Sequence, residues 1–508
     1  MMKKILSLLT LTALAGALWV TLKPKHSGAA SVTVFCAAGL KKPVVEIAAA
    51  YEKETGTKVH LQFGGTGTLL SQLKIAKQGD LFIAADDGAL ADARKTGTTH
   101  EEFQLVRQHP VLAVAKGNPK HLTNLAALKQ ENIKLALPNP EAASIGRVSK
   151  ALLGADWNAL AAKAAVMKPT VTEIAADLSL GAVDAAIVWD AVVPQFKGIE
   201  KVALPELSHH AEFATATVLD SSTHPAAAMR FARYLAAPEK GGAIFTRHGF
   251  QAVDGDHWTA HPELVLYIGS VNRAAIEDVL RQFAEREGVS ITTTYNGCGI
   301  LCAAMKTMKD SSNPKFPDVY YACDVCFVPP VAEQFPEAVI LTEAEIVIAT
   351  PKGNPHGIHT LADLAKPGLR VGLCNAEQST LGFLTHSILK SMNLLESVSK
   401  NASSQVPTGD FLVNQMRTGS LDAVVVYAIN LQSKPDEFTT IPLPADKAKA
   451  LQPFSVRKDS QHMQMGRRLL TFLRQHRSNF EKVGFTWKGE TKPVKSAEIV
   501  LPEWMQQK

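Results

Sequence analysis

The 53 lysines and arginines of this 508-residue chain are nowhere gathered into a basic run, and they exceed the acidic residues by only five. So small and scattered an excess is no electrostatic footprint for DNA or RNA, and no nucleic-acid partner is expected. Zinc-protease, serine-hydrolase and phosphate-loop motifs (H-E-x-x-H, G-x-S-x-G, G-x-x-x-x-G-K-[ST]) are missing, and the histidines fall in polar loop contexts. No catalytic residue and no cofactor are therefore expected. Beyond the first 22 residues no window is long and apolar enough to span a bilayer. With 20% charged and 46% hydrophobic residues, the composition is that of an ordinary globular chain.

What is present begins with the one long apolar run. After MMKK, residues 5 to 22 carry no charge, and Gly28-Ala29-Ala30 offers small residues downstream. Residues 1–30 read as a targeting segment, either a cleaved signal or an uncleaved anchor to the inner membrane. Either way the rest is expected in the periplasm or cell envelope, touching membrane only if the segment is retained. The six cysteines are lopsided: Cys36 stands alone, and the other five fall between 298 and 374.

The chain repeats itself. AAAYEKETGTKVHLQFGGTGTLL (48 to 70) overlays LRQFAEREGVSITTTYNGCGILC (280 to 302) without a gap at an offset of 232, placing Gly65 on Gly297 and Gly67 on Gly299. DLFIAAD meets DVYYACD and GAVDAAIVW meets GSLDAVVVY at 238, while AKGNP meets PKGNP at 236. Nearly constant offsets over so long a span mean a duplicated module. The expected division is 31–260 and 261–490, joined near AVDGDHWTAHP, with a tail over 491–508.

Each copy alternates short apolar strands with amphipathic helices, as in SVTVF, then a helix with Val44, Ile47, Ala48 and Tyr51 on one face ended by Gly56, then KVHLQF. The pattern predicts an α/β fold with mostly parallel sheets and helices on both faces, two lobes per copy. Ligands of such sheets bind beyond the carboxyl ends of the strands. FGGTGTLL sits at such a place, where glycine lets backbone N–H groups at a helix start approach an anion. A tight strand-to-helix turn would need glycine in any case.

The ordered set VFCAAGLKKPVVEIAAAYEKETGTKV, FGGTGTLLSQL, GDLFIAAD, LPNPEAASIGR and LGAVDAAIVW resembles the periplasmic molybdate-binding proteins of ABC importers, which are type II periplasmic binding proteins. The resemblance covers 31 to 255 and, more loosely, 263 to 488, so it implies a tandem duplication of that two-lobed fold. It also implies an exported solute-binding protein that holds molybdate or tungstate between its lobes by uncharged donors and delivers it to an ABC importer permease. The implied ligand-binding positions in the first copy are Gly39, Thr66, Ile145, Val171 and Trp189. Here Gly39 has lost a serine hydroxyl and Trp189 replaces a tyrosine. Trp189 reads equally as an indole N–H donor or as packing between lobes.

In the second copy the corresponding positions are Val271 with Ser270 beside it, Cys298, Leu381, Gly409 and Tyr427. A thiol at a helix start tends toward thiolate, which repels an oxyanion. The same register brings Cys323 and Cys374 toward the cleft, so Cys298, Cys323 and Cys374 are candidate ligands for a soft metal or arsenite. Structural disulfides and inert buried thiols are the competing readings. An envelope-tethered sensor, or a thiol-based binder working through this second copy, is the alternative function.

Overall fold

The computed structural model describes residues 18–22, 31–308, 313–444 and 448–501. It divides into two compact units, one built mainly from 31–260 and the other mainly from 261–501.

In the first unit, strand Val32–Ala37 lies parallel to Val59–Gly64 on one side and Leu81–Ala84 on the other. Helix Lys41–Thr55 covers them, burying Val44, Ile47, Ala48 and Tyr51, and it stops at Gly56, whose φ of 72° lets its N–H close back onto Glu52 O. The chain then leaves this lobe along Thr99–Gln108, builds a second five-stranded sheet, and returns as Glu212–Leu219. The returning strand inserts antiparallel between Leu81–Ala84 and Thr99–Gln108. The sheets are thus mixed, because a chain that crosses to a second lobe and comes back must reverse direction. The second lobe orders Val166–Lys168, Leu135–Pro138, Ala185–Trp189, Pro110–Ala115 and Ile199–Val202.

The second unit keeps this strand order in both lobes, with extra strands added to its first lobe and a difference at the crossing. Where the first unit has His109-Pro110, the second has Glu345-Ile346. Proline offers no N–H to a ladder, and the first unit's strand breaks there. Ile346 donates its N–H to Ala448 O at 2.8 Å. The strand Glu337–Pro351 therefore runs unbroken through both lobes, pairing with Lys449–Val456 in one and Ala423–Tyr427 in the other. The cores follow suit: the first unit's second lobe buries its own cluster around Leu112, Ile174 and Ile187, whereas one cluster runs through the whole second unit.

Of the apolar N-terminal run, residues Leu18–Leu22 form a strand antiparallel to Ser290–Asn296, with Trp19 opposite Thr294. The rest of 1–30 lies outside the described residues. No helix among the described residues is long and apolar enough to cross a membrane. The stretch expected as a tail from 491 is partly integrated: Val494–Lys495 pairs with Glu337–Ala338, and buried Ser496 donates its N–H to Pro336 O at 2.8 Å.

Candidate functional site

Three α-helices of the first unit begin at one place between the lobes. Thr66 is the first residue of Thr66–Ala76, Ile145 the second of Ser144–Leu153, and Val171 the first of Val171–Ser179. Gly39 joins them from the 3-10 turn Ala38–Leu40, and Trp189 from the end of Ala185–Trp189. All five line a single small cavity. First-turn N–H groups have no acceptor inside their own helix, and each helix start carries a partial positive charge. No residue lining the cavity is ionisable. The result is a cradle for negative charge made without a single cation.

A further donor escaped the sequence reading. Ser144 lines the same cavity, is 5% exposed, and its buried hydroxyl has no hydrogen-bond partner. Its place in AASIGR, at the start of a helix, was the available signal. Thr170, also at the cavity, is already engaged: its hydroxyl accepts the N–H of Glu173 and caps Val171–Ser179.

The glycines of FGGTG have a different task from the one expected. A Cβ on Gly65 would stand 2.4 Å from both Ala142 O and Pro169 O, and one on Gly67 would stand 2.2 Å from Glu141 O. Those carbonyls belong to the opposite lobe. Gly67 donates its N–H across the gap to Ala142 O at 2.9 Å, so that amide is spent on lobe contact rather than offered to a ligand. The second unit repeats this, with Gly297 against Gln378 O and Pro407 O and Gly299 against Glu377 O.

Ser270, Val271, Leu381, Gly409 and Tyr427 line the second unit's small cavity. Cys298 does not; it is fully buried beside Cys323, which does. The two sulfurs lie 3.1 Å apart, and Cys323 donates its backbone N–H to Cys298 Sγ at 3.0 Å. Burial opposes ionisation of Cys298, but the S–H and N–H of Cys323 outweigh it and hold this thiol below its ordinary range. The same pairing, with burial, drives Cys323 upward.

The expected three-cysteine metal set is not assembled. Among the described residues no group of three or more His, Cys, Asp or Glu side chains is arranged to hold a metal ion. Cys374 is buried beneath the other lobe's strand end, where burial pushes its thiol up to about 12, with Ser379 as its hydrogen-bonding neighbour. Cys302 is likewise pushed up to about 12 by burial. None of the six cysteines is bridged, so the reading of structural disulfides is not realised.

Beside each cavity the lobes are joined by a second contact that changes character between copies. In the first unit Asp86 caps helix Asp87–Lys95 and forms an ion pair across the lobes with Arg147, which also reaches Asp92 at 3.1 Å. In the second unit Phe383 stands at the position of Arg147, and it meets Phe327 edge to face with ring centroids 6.2 Å apart. Asp324, the counterpart of Asp86, is left with two backbone donors, Cys326 N–H at 3.0 Å and Leu451 N–H at 2.8 Å. Burial raises its carboxyl to about 6.

A model of the bacterial extracellular solute-binding protein family matches residues 32–251 and again 264–486. The chain belongs to that family, twice over. A Haemophilus influenzae family relative described only as a binding protein is 29% identical over 225 residues, 44% of this chain and 91% of its own. The molybdate-binding protein ModA of Escherichia coli is 29% identical over 232 residues, 43% of this chain and 88% of its own. Among solved structures, the periplasmic molybdate-binding protein of Azotobacter vinelandii aligns with 43% of this chain and 98% of its own, at 18% identity and a TM-score of 0.37. The two sequence relatives are each matched over most of their own length by less than half of this chain, as a tandem member of the family requires.

Two outcomes follow for the solute-binding units. Gly67→Ala places a methyl against Glu141 O and should weaken solute binding by the first unit at least about tenfold, some 1.4 kcal/mol or more. The unfolding midpoint should stay near that of the wild type, because alanine suits a helix start; unchanged affinity in a calorimetric titration contradicts the role given to this glycine. Asp324, with its folded-state pKa raised, stabilises the fold fully below about pH 4 and loses that contribution as the pH rises through about 6. Asp324→Asn should remove on the order of 3 kcal/mol of the stability lost between those pH values. Urea unfolding across that range checks it, and a pH profile identical to the wild type contradicts it.

Proposed function

We propose that the first unit captures a tetrahedral oxyanion of the molybdate and tungstate class in the periplasm and presents it to the permease of an ABC importer. The observation that carries this reading is the cavity where three helix starts meet around Thr66 and Ser144 with no ionisable residue on its walls. A dianion that stays fully deprotonated needs donors rather than acceptors, and neutral donors suffice when the peptide dipoles behind them are aligned. The relatives named as molybdate-binding proteins support the same class of solute. Lobes that meet at Gly65 and Gly67 enclose the anion by a hinge motion about the two linking segments. The break at His109-Pro110 gives the first unit a place to bend.

Titration of the full chain with molybdate, tungstate and sulfate, followed by tryptophan fluorescence, tests the proposal because Trp189 lines the cavity. Molybdate or tungstate should bind, and Thr66→Ala should weaken that binding about tenfold to a hundredfold, the usual loss for a hydrogen bond to a charged group. Indifference to every oxyanion would sink the reading.

A further inference from the structure

We propose that the second unit's cleft, with Cys323 on its wall and Cys298 buried directly behind it, is a two-thiol site for an uncharged trivalent arsenic oxyacid closed over by Tyr427. This goes beyond the oxyanion reading of the first cleft and does not depend on it. The site is built rather than incidental. Where the first copy has Ala37 and Ala85, the second has Gly269 and Cys323, and a Cβ on Gly269 would stand 2.2 Å from Cys323 Sγ. The methyl has been removed where the sulfur needs room. On the opposite wall Tyr427 is 3% exposed and lines the cavity, and its hydroxyl has no hydrogen-bond partner. A hydroxyl so placed is a donor or acceptor waiting for a ligand.

The spacing of the sulfurs selects the ligand. With bonds to sulfur of about 2.3 Å, a linearly coordinated cation would hold two sulfurs about 4.6 Å apart and a tetrahedral one about 3.8 Å. A pyramidal centre with bond angles near 90° and bonds of that same length holds them about 3.3 Å apart. The observed 3.1 Å fits the last. Charge points the same way. Asp410 lines the cleft at its exposed edge, where the first copy has Thr172, and Asn430 donates to its carboxylate at 2.8 Å. A carboxylate at the cleft repels an oxyanion but tolerates a neutral oxyacid. Binding is a substitution without redox change: two sulfur–arsenic bonds form, two arsenic–oxygen bonds break, and the two hydroxyls leave as water with the thiol protons. The third hydroxyl stays on arsenic and meets Tyr427.

The test is calorimetric titration of the reduced full chain with sodium arsenite, with molybdate titrated into the same preparations. One equivalent of arsenite should bind with two sulfurs and one oxygen in its X-ray absorption spectrum. Cys323→Ala, the residue of the first copy, should weaken arsenite at least about a hundredfold and leave molybdate unchanged. Tyr427→Phe, which keeps the ring, should weaken arsenite severalfold and serves if the cysteine variant fails to fold. No arsenite binding by the reduced chain, undiminished binding by both variants, or coordination by cysteines outside this pair each overturns the proposal. Failure in the molybdate arm alone would count against the first cleft and not against this one.

Discussion

In each unit the two lobes meet backbone to backbone, and that contact leaves no room for a side chain at the points where it is made. Gly65 and Gly67 face the carbonyls of Glu141, Ala142 and Pro169, and Gly297 and Gly299 face those of Glu377, Gln378 and Pro407. Even alanine would put a carbon inside van der Waals distance of an oxygen that cannot swing away. The contact fixes how close the helix starts come and therefore the size of the space between them. It also decides which amides remain for a solute. Gly67 is consumed by Ala142, and the donors left are Thr66, Ser144, Ile145 and Val171 around it.

Within that frame the two copies have diverged by exchanges that preserve volume. The first pairs Gly39 with Val171 across its cavity, where a Gly39 Cβ would already touch a Val171 methyl at 3.1 Å; the second has Val271 and Gly409 at the same two positions. Ala37 with Ala85 becomes Gly269 with Cys323. Such swaps keep a close-packed wall intact while its chemistry changes. The interlobe ion pair of Asp86 and Arg147 gives way to the rings of Phe327 and Phe383. The link between lobes differs as well: a strand broken at a proline in one unit, a continuous ladder and a shared core in the other. The first unit's crossing strand is interrupted at Pro110, and the second's is continuous.

Much of this could be read before any coordinates. Helix and strand periodicity placed Tyr51 and its neighbours on a buried face, and the resemblance to the molybdate-binding proteins implied five first-cleft positions, which do line one cavity. What could not be read were relations across the lobes. Nothing in GGTG says that its glycines face another backbone rather than a ligand. Arg147 gives no sign of reaching Asp86, 61 residues away. Register put Cys374 at a strand end near the cleft, but its thiol is buried and does not line the cavity. Residue spacing likewise could not distinguish a bridged Cys323-x-x-Cys326 from two buried thiols with separate neighbours.

The central claim is that solute is gripped when the glycine-bearing loop of one lobe closes onto the other. The amide of Gly67 reports this directly, since its acceptor, Ala142 O, lies across the cleft. Hydrogen exchange at that amide should be fast in the solute-free first unit and strongly slowed by a saturating oxyanion. The same rate with and without solute would contradict the account.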